Sequence, residues 1–119
     1  MTMRWLCASL LVLVPSLGFA AQGNAVNGRE NFRKFHCDTC HSVRGEKRTA
    51  PVPLPDYSRR SENEIAETIA SHTQLSPEAL FDEMAMAAAT SYMTPQQLMD
   101  IAAFLRNPSA AAPPAKKNR

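Results

Sequence analysis

Cys37-Asp38-Thr39-Cys40-His41 is the stretch on which the rest of this sequence turns. Two thiols three residues apart, followed at once by an imidazole, form the C-x-x-C-H pattern of covalent haem attachment. Each sulfur adds to a vinyl group, and the next residue offers a ring nitrogen to the iron. The spacing lets both sulfurs straddle one haem edge and puts His41 beneath the metal, where neutral imidazole is a suitable donor. Two other readings use the same residues. A redox dithiol ordinarily follows a strand in a βαβ setting, which neither flank suggests. A zinc site needs four ligands, and apart from Cys7 near the N-terminus the chain has no cysteine beyond this pair.

The N-terminal flank has a short polar start with Arg4, an apolar run from Trp5 to Val14 and a small-residue end at Gly18-Phe19-Ala20. That is the layout of a secretory signal peptide, and Pro15 and Gly18 interrupt a run already too short to span a bilayer. Residues 1–20 are therefore expected to be removed on export, Cys7 with them, leaving no membrane span. A bacterial periplasm is the simplest destination. In such an oxidising compartment the two remaining thiols form a disulfide unless something captures them, and haem does. Without Arg4, twelve Lys and Arg face eleven Asp and Glu, a balance that implies no nucleic-acid partner. A chain this short buries only a modest core, so a flat apolar cofactor at its centre supplies internal surface it otherwise lacks.

Between the leader and the motif, residues 26–35 read as a helix with Phe32 and Phe35 on one side and Arg29, Arg33 and Lys34 on the other. Asn24 or Asn27 caps it, and Gly28 inside it points to a close crossing with another helix. Beyond the motif, residues 42–60 show no periodicity. Pro51, Pro53 and Pro55 make a stiff loop, with basic Arg44, Lys47, Arg48, Arg59 and Arg60, either solvated or paired with acidic groups. Ser61-Glu62-Asn63-Glu64 is a capping box for a short helix with Ile65 and Ile69 on its apolar stripe. Ser76-Pro77-Glu78 opens another, with Leu80, Phe81, Met84 and Ala88 at helical spacing. The last helix is capped by Thr94, with Pro95 first, Gln97 completing the box, and Leu98, Ile101, Ala102 and Leu105 forming the stripe. Asn107-Pro108 ends it, and residues 107–119 read as a disordered Ala/Pro-rich basic tail. No strand signal appears, so the expected class is all-α, with residues 21–106 as its one domain.

On these residues the chain resembles the small monohaem class I c-type cytochromes of bacterial periplasms. The likeness runs from about Asn24 to Arg106, through Gly28, Phe32, the motif, the proline-containing loop and the closing Thr94-to-Leu105 run. It implies a helical fold packed around one covalently attached haem c, with thioethers at Cys37 and Cys40 and His41 as proximal iron ligand. It also implies that Gly28 and Phe104 mark a crossing of the terminal helices. A proline carbonyl, at Pro51 or Pro53, would then accept the second ring N–H of His41.

In that family the distal ligand is usually a Met roughly eight residues before the cap of the last helix, which from Thr94 reaches Met86. The helical wheel disagrees, since a helix running through Met86 would set it beside Asp82 and Glu83. Choosing Met86 thus implies that the helix ends before it. Met84, on the Leu80–Phe81–Ala88 face, and Met93, at staple spacing from Leu98, are the alternatives, followed by His72 or no protein ligand. The family's Met-Pro pair is absent. His36 and His72 are expected to be structural. The function implied is a periplasmic carrier of single electrons between transient redox partner proteins, and not an enzyme. A five-coordinate gas-binding haem protein and a haem subunit of a larger oxidoreductase are the rival readings.

Overall fold

Two helices from opposite ends of the chain cross at a glycine. The computed structural model describes residues 22–73 and 81–112, and places α1 at Ala25–Lys34 and α5 at Pro95–Arg106. Asn24 caps α1, its side-chain oxygen accepting from the amides of Val26 at 2.9 Å and Asn27 at 3.1 Å. Such a cap is worth about 1 kcal/mol, because those N–H groups have no partner within the helix. α5 opens with the expected reciprocal box between Thr94 and Gln97, with Pro95 in the first turn, where its missing N–H costs nothing.

The crossing itself depends on Gly28. A Cβ there would run into the carbonyl oxygen of Asp100 and stand 2.8 Å from Phe104 Cβ. One turn further along α1, Phe32 meets Phe104 edge-on, with ring centroids 5.6 Å apart and planes at 64°. That geometry adds about 0.5–1.5 kcal/mol to the burial of the two rings. Buried Asp100 locks the arrangement, accepting from the Asn24 amide at 2.8 Å and from Gln96 Nε2 at 2.9 Å. The amide of Gly23 donates to Glu62 Oε2 at 2.9 Å, tying the start of α1 to a third helix.

That helix, α3, spans Glu62–Ala70, between the single motif turn α2 at Cys37–Cys40 and helix α4 at Phe81–Ser91. Its box pairs Ser61 with Glu64, and Ile65 is fully buried where α3 packs on α5. A 3-10 turn, Ser71–Thr73, follows. The resulting core joins Phe32, Ile65, Met93, Ile101, Phe104 and Leu105, so the all-α expectation holds. Among the described residues no helix is long and apolar enough to cross a membrane. The expected signal peptide and Cys7 lie outside the described residues, as do the expected helix start at Ser76-Pro77-Glu78 and Leu80.

Three features depart from the reading above. First, α4 does not stop before Met86 but continues to Ser91, and it is turned so that Met84 and Ala88 are exposed while Ala87 and Thr90 are buried. The run Ala85-Met86-Ala87-Ala88-Ala89 has methyl groups on every side, so periodicity cannot orient it, and the neighbouring helices do. Second, two short strands exist: β1, His41–Ser42, pairs in parallel with β2, Val52–Pro53. Two residues are too few to leave an alternating pattern in the sequence. Third, the chain does not become irregular at Asn107. Pro108–Ala111 forms a 3-10 turn against α1, Ala111 is buried, and Arg29 Nη1 donates to its carbonyl at 3.3 Å. The buried Ala111 methyl, the Arg29 hydrogen bond and the turn's packing on α1 and α5 hold this segment, and these contacts leave no mark in composition.

Candidate functional site

The motif is positioned by a sharp change of direction after α1. His36 takes the left-handed conformation, φ 60°, uncommon for a residue with a Cβ, and α2 begins immediately after it. Cys37 and Cys40 sit at the two ends of this single helical turn, and both line a cavity of about 440 Å³ with predominantly apolar walls. Cys37 is half-buried and Cys40 exposed, so the second thiol marks the cavity's open edge.

His41 leaves α2 in extended conformation and is registered opposite Val52 by the β1–β2 pairing, which the Leu54 amide extends by donating to the Ser42 carbonyl at 2.9 Å. Both ring nitrogens of His41 are buried, and neither has a hydrogen-bond partner. Leaving a buried polar group unpaired costs about 1–3 kcal/mol, so the arrangement makes sense only if something binds there. Burial holds the imidazole below its ordinary 6.5. The Val52 backbone partly opposes this by favouring the charged ring, and the nearby charge of His72 reinforces it. The backbone group approaching the ring is thus that of Val52, not of Pro51 or Pro53, and it comes near without completing a hydrogen bond. His41 is consequently a neutral, inward-facing nitrogen donor.

The same surroundings disfavour the other readings of the motif. Burial pushes the Cys37 thiol up to about 11, the reverse of the depressed value that activates a redox dithiol. Among the described residues no group of three or more His, Cys, Asp and Glu side chains is disposed to hold a metal ion. An apolar cavity with two thiols at its edge and an unsatisfied imidazole inside it fits an iron porphyrin attached through sulfur.

The chain that carries β1 into the proline loop is clamped from behind. Glu46, 17% exposed, accepts from Arg29 Nη2 at 2.9 Å and Nε at 3.2 Å, and from Arg33 at 3.5 Å. Arg48 pairs with Asp38 inside the motif at 2.9 Å. Of the basic cluster, then, Arg48 is committed within the protein, Arg44 lies 3.9 Å from Asp56, and Arg60 stacks over the Tyr57 ring at 5.9 Å. Glu46 was not singled out from sequence. Its spacing from Arg29 and Arg33 falls on separate elements, and only the fold brings them together.

The candidate distal ligands separate clearly. Met84 is 52% exposed and does not reach the cavity. Met86 is half-buried and lines it from α4, and Met93 lines it from the turn before α5 while also packing in the core with Leu98 beside it. The exposed face expected for Met86 is instead that of Met84. His72, expected to be structural, also lines the cavity, with Nδ1 3.1 Å from the Ile69 carbonyl. His36 lines it from the motif side.

Compared with known proteins, residues 25–109 match the family model described as Cytochrome c. No curated protein and no solved structure matches the chain.

Proposed function

This chain belongs to the cytochrome c family, and from that premise we propose that it is a periplasmic carrier of single electrons with one haem held covalently by Cys37 and Cys40. The family binds haem with iron, and when bound this group supplies a one-electron couple. In this reading His41 is the proximal ligand and Met86 the distal one, a His/Met pair of the kind that raises the reduction potential. The observation that carries it is the His41 ring, buried with both nitrogens unpartnered in a cavity edged by the two motif thiols.

Each part of the chain then has a task. Burial keeps His41 neutral, and the β1–β2 pairing holds its backbone. The Glu46 and Arg48 ion pairs brace the loop behind it, so the ring that would hold the iron is kept in place. The apolar walls contributed by Ile69, Ile101 and Leu105 exclude water from the metal. Cys40 and Thr39 are exposed, and this edge, with exposed Arg44 and Lys47 nearby in sequence, is where transient redox partners dock over a small interface. The chain works as a carrier rather than a catalyst.

Export of the full chain from a bacterium competent in cytochrome maturation tests this. Expected are a coloured periplasmic protein heavier by one haem, low-spin spectra in both oxidation states, and loss of colour in the Cys37→Ala/Cys40→Ala variant. A colourless product of bare peptide mass overturns the reading.

A further inference from the structure

The cavity holds a second kind of donor that the His/Met reading leaves unused. Besides His41, two imidazoles line it. His36 immediately precedes Cys37 and belongs to the same edge as the thiols. His72 comes from a different element, the 3-10 turn Ser71–Thr73 that closes α3.

The local chemistry of His72 is that of an oriented donor. Its Nδ1 lies 3.1 Å from the Ile69 carbonyl, and because a carbonyl only accepts, Nδ1 carries the proton. The lone pair is then on Nε2, the nitrogen without a partner in this contact. A histidine with one nitrogen bonded to a backbone carbonyl, and with no partner for the other among the described residues, is arranged as metal-binding histidines are. The ring is half-buried and lines the same cavity as His41. Its mounting is firm, since Ile65 on α3 is fully buried and the 3-10 turn packs on α4, the helix carrying Met86. One sulfur donor and one nitrogen donor therefore stand on adjoining walls of one cavity.

We propose that His72 is a second iron-directed ligand, taking the sixth position through Nε2 when the Met86 thioether does not hold it. The inference rests on the covalent-haem reading above. The two donors are not equivalent: Met opposite His raises the potential, so occupation by His72 lowers it.

The test uses the full exported chain with its haem in place. In Met86→Ala, ferric protein stays low-spin, its electron paramagnetic resonance shows two imidazole ligands, and its potential falls below that of the parent. In Met86→Ala/His72→Ala, the ferric haem turns high-spin. Met86→Ile, which refills the volume without a sulfur, gives the same two-imidazole signature and serves if the alanine variant does not keep its fold. A high-spin spectrum in both Met86 single variants overturns the proposal, as does a low-spin spectrum that survives in the double variant. Absence of covalent haem from the parent protein is a separate result, and it sinks the underlying reading instead.

Discussion

Replacing Gly28 with alanine tests the helix crossing on which the site is built. Gly28 lies inside α1, where alanine is favoured over glycine by about 0.8–1.0 kcal/mol on propensity alone. The packing opposes this. The added methyl runs into the Asp100 carbonyl and stands 2.8 Å from Phe104 Cβ. Neither obstacle can rotate away: one is helix backbone, and the other belongs to a ring wedged against Phe32. The helices cannot slide apart freely either, because Asp100 also holds the Asn24 amide at 2.8 Å. Overpacking of this kind costs about 1–3 kcal/mol, and an immovable carbonyl puts it at or beyond the upper end. The net loss is then roughly 2 kcal/mol, which for a domain of this size lowers Tm by about 8–16 °C. Thermal unfolding of the haem-loaded protein, followed by far-ultraviolet circular dichroism, measures it. Asn27→Ala, at an exposed position of the same helix, is the control and should stay within about 0.5 kcal/mol of the parent. If Gly28→Ala is as stable as the parent or more so, the crossing is not set by glycine and the reasoning fails.

Glu46→Gln removes the carboxylate shared by Arg29 and Arg33 and should destabilise the protein by about 1–2 kcal/mol in denaturant titration. An unchanged midpoint would show that the loop behind His41 is held by other means. Met84→Ala should leave the visible spectrum and the potential of the haem-loaded protein as they are, since that side chain points away from the cavity; a shift in either contradicts the orientation of α4. Glu64 is held below the ordinary 4.5 by the Ser61 amide and hydroxyl. A depressed carboxylate contributes stability that is complete above the unfolded value and is lost as pH falls through the folded one. The advantage of the parent over Glu64→Gln should therefore shrink as pH drops below 4.5, and a gap that persists unchanged into strong acid counts against the capping box.

Local chemistry made much of this protein readable in advance. Asn24, Ser61 and Thr94 each cap the helix that follows them, because a short polar side chain before an apolar stripe can satisfy the free amides wherever the chain folds. Gly28 announced a close crossing, and the aromatic side chains of Phe32 and Phe104 supplied its contact. Cys37, Cys40 and His41 belong together because they occupy one turn and the residue after it, a spacing that no tertiary contact needs to create.

Residues whose partners lie far along the chain were not readable in this way. The rotation of α4 was decided by its neighbours, since its alanine-rich middle is equally apolar all round, and that rotation turned Met86 inward and Met84 outward. Val52 faces His41, Glu46 meets Arg29, and Ala111 closes on α1 through contacts separated by loops whose composition has no period. His72 was a polar residue ending a helix until α3 and α4 enclosed one cavity around it. The caps at Asn24, Ser61 and Thr94, the tight approach at Gly28 and the spacing of Cys37, Cys40 and His41 are local features, legible along the chain before it folds. Only the folded chain decided what stands around His41, because burial and electrostatic surroundings belong to the assembled helices and to no single segment.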